Sequence, residues 1–152
     1  MTYPSIYIES TTQSLHARID QLTENSKGLW GKMTVGQMLS HCTVPYEQIL
    51  GQNTDQPPLF MRIILTLFLK KSMVNEVPYK QNLPTAPSFI RTEHYDVQKE
   101  KERLKGMIQT IQEMGAEKLA AKPSLSLGKL SATEWNNLLY KHIDHHLQQF
   151  GV

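Results

Sequence analysis

Three stretches of the chain carry a strong signal for the start of an α-helix. In each, a Ser or Thr is followed three residues later by Gln or Glu: STTQ from Ser10, TVGQ from Thr34 and SATE from Ser131. In such a capping box the two side chains satisfy backbone N–H groups that the first helical turn leaves without partners. Because apolar residues follow at helical spacing and no long period-two alternation occurs, the sequence predicts an all-α fold.

The apolar spacing predicts four main helices. A third helix is expected to start at Asp96, with Gly115 near its end unless the alanine-containing stretch after it extends the helix. Pro45 should weaken the second helix from within. Four such helices with a long second crossover are typical of a four-helix bundle, here a single domain over residues 1–152. The Pro-rich stretch 52–95 is interpreted as an irregular insertion between the second and third helices. The main helices are expected over about 11–25, 35–50, 97–115 and 132–150.

The most apolar run of the chain is PLFMRIILTLFLKK, residues 58–71. It is interrupted by Arg62 and is shorter than the roughly 20 apolar residues that a membrane span needs. We interpret it as a buried helix. The alternative is an amphipathic surface helix with Lys70 and Lys71 at its end.

Composition excludes several classes of protein. An apolar content of 39% and a charged content of 20% are typical of a folded globular domain. The net charge is only +2 and no run of basic residues occurs, so a nucleic-acid partner is not expected. The single cysteine, Cys42, cannot form an internal disulfide, and the first residues do not resemble a secretory signal. We therefore expect a cytoplasmic protein.

The sequence HIDHH places three histidines near the end of the last predicted helix. Since successive residues turn by 100° about a helix axis, His142 and His146 share the apolar face that contains Leu139. His145 falls at the edge of that face, as an additional polar group or an alternative ligand. Asp144 falls on the opposite face, where we expect solvent.

His142 and His146 have the i, i+4 spacing at which two imidazoles on a helix can chelate one ion. His41 lies on the helix that starts after Thr34, and a bundle can bring it opposite the last helix. Three histidines with an open position are typical of a catalytic divalent-metal site. Such a site suits Zn, Ni, Fe or Mn, and a hydrogen-bonded group of histidines without metal is the simpler alternative.

Three other residues have both a functional and a structural interpretation. Cys42 adjoins His41 but points about 100° away, which favours a core position over a nucleophile. Trp135 and Phe60 could line a pocket, but core packing is the favoured interpretation for both. Tyr140 and Lys141 fall off the apolar face and are assigned no role.

The two stretches LWGKMTVGQMLSHC and GKLSATEWNNLLYKHIDHHLQQFG resemble the DinB-like (YfiT-like) superfamily, in particular its uncharacterised bacterial branch. The resemblance covers most of the chain but is vague over 52–95. It implies a four-helix bundle, often a homodimer, with a divalent metal held by His41, His142 and His146. Characterised members include transferases and isomerases that use low-molecular-weight thiols, so it also implies a small-molecule substrate or thiol partner.

Two functions follow as expectations. The first is a metal-dependent enzyme of thiol-transferase or hydrolase type, in which the metal activates a bound water or thiol. The second is a non-catalytic metal-binding or stress-related protein that uses the same histidines. A structural bundle with no metal at the site is a third possibility, and no catalytic residue is identified.

Overall fold

A computed structural model describes residues 3–152, so the first two residues of the predicted domain lie outside it. The described residues contain no strand beyond an isolated bridge between Ser124 and Gly128, and the all-α prediction is confirmed. A π-helical turn joins α3 to α4, and a short 3-10 turn follows at Pro87–Phe89. The α-helices are α1 (Glu9–Asp20), α2 (Val35–Ile49), α3 (Leu59–Ile64), α4 (Lys70–Val74), α5 (Val97–Ala120) and α6 (Ala132–Gln149).

Two of the three predicted capping boxes are confirmed. The Thr34 hydroxyl accepts from the backbone N–H of Gln37, whose side chain accepts from the Thr34 N–H in return. Ser131 and Glu134 make the same reciprocal pair at the start of α6. These starts fix the rotation of the two helices that carry the histidines.

The prediction for the first helix is wrong at both ends. The N-cap of α1 is Ile8, which offers no side-chain hydrogen bond, and Ser10 lies inside the helix. Gln13 bonds to Glu9 instead of closing a capping box. The helix ends at Asp20 rather than near residue 25, and a buried Lys101 binds two backbone carbonyls at this end, those of Asp20 and Leu22.

The third long helix starts as predicted, with the Asp96 carboxylate accepting from the N–H of Lys99. The regular helix breaks at Gly115, which adopts φ 79°, a conformation that favours glycine. A further helical piece continues to Ala120. Pro45 likewise lies inside α2 without ending it.

The core forms where α5 packs against α1, α2 and α6, and where α2 also contacts α6. These contacts bury most residues of α2 and one face of α5, and Leu104, Leu139 and Leu147 are fully enclosed. The packing matters for function because it holds α2 and α6 side by side.

The apolar run is exposed, so the prediction of a buried helix is wrong. None of the residues of α3 or the π-helical turn is buried, and Phe60 and Phe68 are each 73% exposed. We call residues 59–69 the apolar segment. Within residues 3–152 no helix has both the length and the apolar character that crossing a membrane requires.

Lys141 attaches the end of α4 to α6. Its ammonium group donates to the carbonyl oxygens of Ser72, Asn75 and Val77 and to the Asn75 side chain, at 2.8–3.1 Å. It also lies 4.5 Å from the ring centre of Tyr79. Burial lowers the pKa of Lys141 to about 8, while the surrounding oxygens satisfy the charged form.

Candidate metal centre

The fold brings together the three histidines that the sequence singled out. His41 is buried on α2, and His142 and His146 face it from α6. One ligand nitrogen from each lies within 4.8 Å of the others, and the three pairs of ring centres are 4.6–4.9 Å apart. The closest pair is His41 Nε2 and His142 Nε2, at 2.9 Å.

These separations suit a small divalent cation. Zinc bound by histidine has Zn–N distances of about 2.0–2.1 Å, so two ligands at a tetrahedral ion have nitrogens about 3.3 Å apart. The observed spacing spans that value, with 2.9 Å for the closest pair and 4.8 Å as the upper limit.

The outer nitrogens of two imidazoles are held by carbonyl oxygens. His41 Nδ1 lies 3.0 Å from the Phe89 carbonyl, and His146 Nδ1 lies 2.8 Å from Gln149 Oε1. The Gln149 amide is itself oriented, because its Nε2 donates to the Trp30 carbonyl at 2.8 Å. A carbonyl oxygen only accepts, so both Nδ1 atoms carry the proton and both Nε2 atoms present a lone pair, that of His41 toward His142 Nε2.

Electrostatics keep the cluster neutral. Burial lowers the pKa of His41, holds that of His142 well below its usual value, and lowers that of His146 to about 3. Repulsion from neighbouring imidazoles adds to the effect of burial for His142 and His146. Since histidine binds metal in its neutral form, the site is in the ligating state at neutral pH.

His145 occupies the rim of the cluster. Its ring centre lies 5.1 Å from that of His146, and Trp30 and Tyr79 flank it at 5.7 and 5.8 Å. Burial lowers the pKa of His145 as well. It does not join the group of three whose nitrogens converge, so its place is beside the site.

Asp144 points away from the histidines, as the helical geometry predicts, but it is not simply in solvent. Its carboxylate makes an ion pair of 2.7 Å with Arg18 of α1, and each side chain is about one-fifth exposed. The residue therefore ties α6 to α1 and contributes nothing to the cluster.

The other residues with two interpretations separate clearly. Cys42 is fully buried, burial raises the pKa of its thiol, and its sulfur contacts Met38. Trp135 is in the core, with its indole N–H donating to the Lys122 carbonyl. Phe60 is exposed in the apolar segment, so the favoured core interpretation is wrong for it.

Sequence reasoning missed the groups that support the histidines. Gln149 lies three residues after His146, a spacing that places it on the same helix face and could have identified it. Phe89 acts through its backbone carbonyl, which no side-chain pattern reveals. Lys141 was set aside because it falls off the apolar face, yet it is buried under residues 72–77.

Comparison with known families places nearly the whole chain in one family model. The model of a family described as "Protein of unknown function (DUF1569)" matches residues 5–151, nearly the whole chain. Searches of curated proteins and of solved structures found no match.

Proposed function

The chain belongs to the DUF1569 family, and from its site we propose that it is a divalent-metal-binding protein whose ligands are His41, His142 and His146. The observation that carries the proposal is the convergence of these three imidazoles with two outer nitrogens anchored on carbonyl oxygens. Anchoring of this kind fixes the tautomer and ring orientation of metal-binding histidines. An all-nitrogen donor set suits Zn, Ni, Fe or Mn.

We further propose that the protein is a metal-dependent enzyme, of thiol-transferase or hydrolase type. A metal held by three protein ligands keeps an open position, where it lowers the pKa of a bound water or thiol. The chain itself orients the histidines through Phe89 and Gln149 and keeps them neutral by burial. Trp30, Tyr79 and His145 border the site and are available to contact a small-molecule substrate.

The wider proposal places the chain in the DinB-like superfamily. Its elements are a four-helix bundle of α1, α2, α5 and α6, an insertion between α2 and α5, a homodimer and a cytoplasmic location. The two sequence stretches that carry the histidines and the contacts of α5 and α2 with their neighbours support it. A solution molecular mass equal to that of a monomer would contradict the dimer.

The first experiment is a measurement of metal content. The protein is purified without a histidine tag, and metal per chain is measured by elemental analysis before and after reloading. We expect one ion per chain, and we expect its loss in His142→Ala and His146→Ala. The control is His16→Ala, because His16 lies elsewhere, against the carbonyl of Lys105. A wild-type chain that stays metal-free, or ligand variants that bind as wild type does, would contradict the site.

The alternative is a metal-binding or stress-related protein without turnover. It shares the ligands, so metal content does not separate the two. The metal-loaded protein is therefore assayed with electrophiles and a panel of low-molecular-weight thiols, and with ester substrates. Turnover that His41→Ala abolishes supports the enzyme, whereas metal binding without turnover supports the alternative.

A further inference from the structure

The apolar segment is a second unusual surface, distinct from the metal centre. Leu59, Phe60, Leu67 and Phe68 are each 70–73% exposed, and Ile63 is half exposed. Leu59, Ile63 and Leu67 line an open groove together with Arg62, Thr66 and Gly128. Contiguous apolar surface of this kind marks a site of interaction, since single exposed apolar residues are normal but clusters are not.

The charged residues within this stretch of the chain have one sign. Between Asp55 and Glu76 the chain carries Arg62, Lys70 and Lys71 and no acidic residue. Arg62 donates to the amide of Gln56, which leaves its charge unneutralised. Lys70 donates to the Lys129 carbonyl and lies 3.5 Å from Glu134.

Lys71 strengthens the positive character. It is exposed, and residues 3–152 offer it no hydrogen-bond or ion-pair partner. Lys129 lies close by, because its carbonyl binds Lys70. The surface therefore combines exposed large apolar side chains with cations at the same end of the helix.

This combination matches an anionic lipid surface. Helices that bind in the interface of a bilayer place aromatic and aliphatic side chains among the acyl chains and basic side chains among the phosphates. We propose that the apolar segment docks the protein on a membrane surface rich in anionic lipid, with Phe60 and Phe68 inserted and Arg62, Lys70 and Lys71 at the headgroups. The segment is too short to span the bilayer, so it lies in one leaflet.

A second copy of the chain fits this surface less well. In a twofold contact the same patch faces itself, so Arg62 and Lys71 would approach their own counterparts. Residues 56–75 supply no carboxylate to offset that repulsion. An anionic lipid surface supplies negative charge along the whole patch.

The test is flotation with lipid vesicles, using the full-length protein. Vesicles of phosphatidylcholine mixed with phosphatidylserine are compared with vesicles of phosphatidylcholine alone, at low and at high salt. We expect binding to the anionic vesicles only, weakened by salt because the surface attraction is screened. Phe60→Ser and Phe68→Ser should each weaken binding by about tenfold or more. Lys71→Gln should weaken it by about fivefold.

Matched variants control for general effects. Leu83→Ser and Lys80→Gln change an exposed apolar residue and an exposed lysine outside the segment, and both should bind as wild type does. All the altered side chains are exposed, so circular dichroism melts should match the wild-type curve. Metal content is unaffected by the proposal, so failure here leaves the metal centre standing.

Three outcomes would overturn the proposal. One is an absence of vesicle binding. Another is equal binding to both vesicle types. The third is a concentration-dependent dimer that Phe68→Ser dissociates while vesicles fail to bind, which would assign the segment to contacts between copies of the chain.

Discussion

In most proteins polar groups lie outside and apolar groups inside, and the histidine cluster and the apolar segment depart from this in opposite senses. In the cluster three imidazoles lie between packed helices, and Phe89 and Gln149 bind two of their outer nitrogens. In the apolar segment large side chains face outward, and the described residues do not cover them. The buried imidazoles find hydrogen-bond partners within the chain, whereas the exposed apolar side chains would need a partner from outside it to leave water.

The largest expected effect concerns packing. Leu139 is fully buried on α6, so Leu139→Ala should lower the free energy of unfolding by about 2–5 kcal/mol through loss of contacts and a residual cavity. The same change at Leu67, which is 70% exposed, should alter it by less than about 0.5 kcal/mol. Urea unfolding of both variants measures the difference. Equal losses would show that Leu67 is packed against other parts of the protein in solution, contrary to its exposure in this structure.

The next prediction tests whether a hydrogen bond from Gln149 supports the histidine cluster. Gln149→Ala removes the acceptor of the His146 Nδ1–H, and loss of such a partner should weaken metal binding by about 10–100-fold. Gln148→Ala is the matched control, because that exposed amide binds only Asp144 among the described residues. Competition with a coloured chelator gives both affinities. Equal affinities in the two variants would mean that Gln149 does not orient the ligand.

A pH titration of the metal-free protein tests how the histidines are accommodated. Their pKa values are lowered in the folded chain, so below the ordinary value of 6.5 the unfolded chain takes up protons first. Stability should therefore be fully present above about pH 6.5 and fall below it by about 1.4 kcal/mol per pH unit for each histidine that stays neutral in the folded chain. His146→Gln should flatten this dependence in thermal melts. A flat wild-type profile would show that the cluster is hydrated.

The smallest effect is expected at Asp144. Its pair with Arg18 is partly exposed, and such pairs contribute at most about 1 kcal/mol. Asp144→Asn should therefore change stability slightly and leave metal affinity unchanged. Metal content and urea unfolding measure the two quantities, and a loss of metal would place this carboxylate in the site after all.

The sequence predicted the positions of the three histidines more accurately than the bounds of the surrounding helices. The helices that start after Thr34 and Ser131 both begin with a capping box, an interaction between residues close in sequence. A known start fixes which residues face inward over the next turns. The three histidines therefore followed from spacing, with the family resemblance adding the pairing of helices. The predicted start of the first helix is wrong because the capping pattern at Ser10 lies inside the helix. There tertiary packing overrides the local sequence preference.

Residues 52–95 could not be predicted for a different reason. An apolar stretch of sequence is expected to be buried away from water. Its hydrophobicity does not reveal whether it is buried in the core of its own domain or against a partner. The apolar segment was accordingly interpreted as buried. Lys141 was missed because its partners are backbone carbonyls of Ser72, Asn75 and Val77, which have no signature in side-chain sequence.

Lys141 and His142 are consecutive residues with separate partners, the first on residues 72–77 and the second on His41. One residue of α6 corresponds to a 100° rotation. Inserting or deleting a single residue shortly before them would therefore turn both side chains away from their partners together. The contacts of Lys141 and of His142 therefore both constrain the number of residues in α6 before them. Homologous chains that keep both contacts should vary in length within the loops and not within this helix.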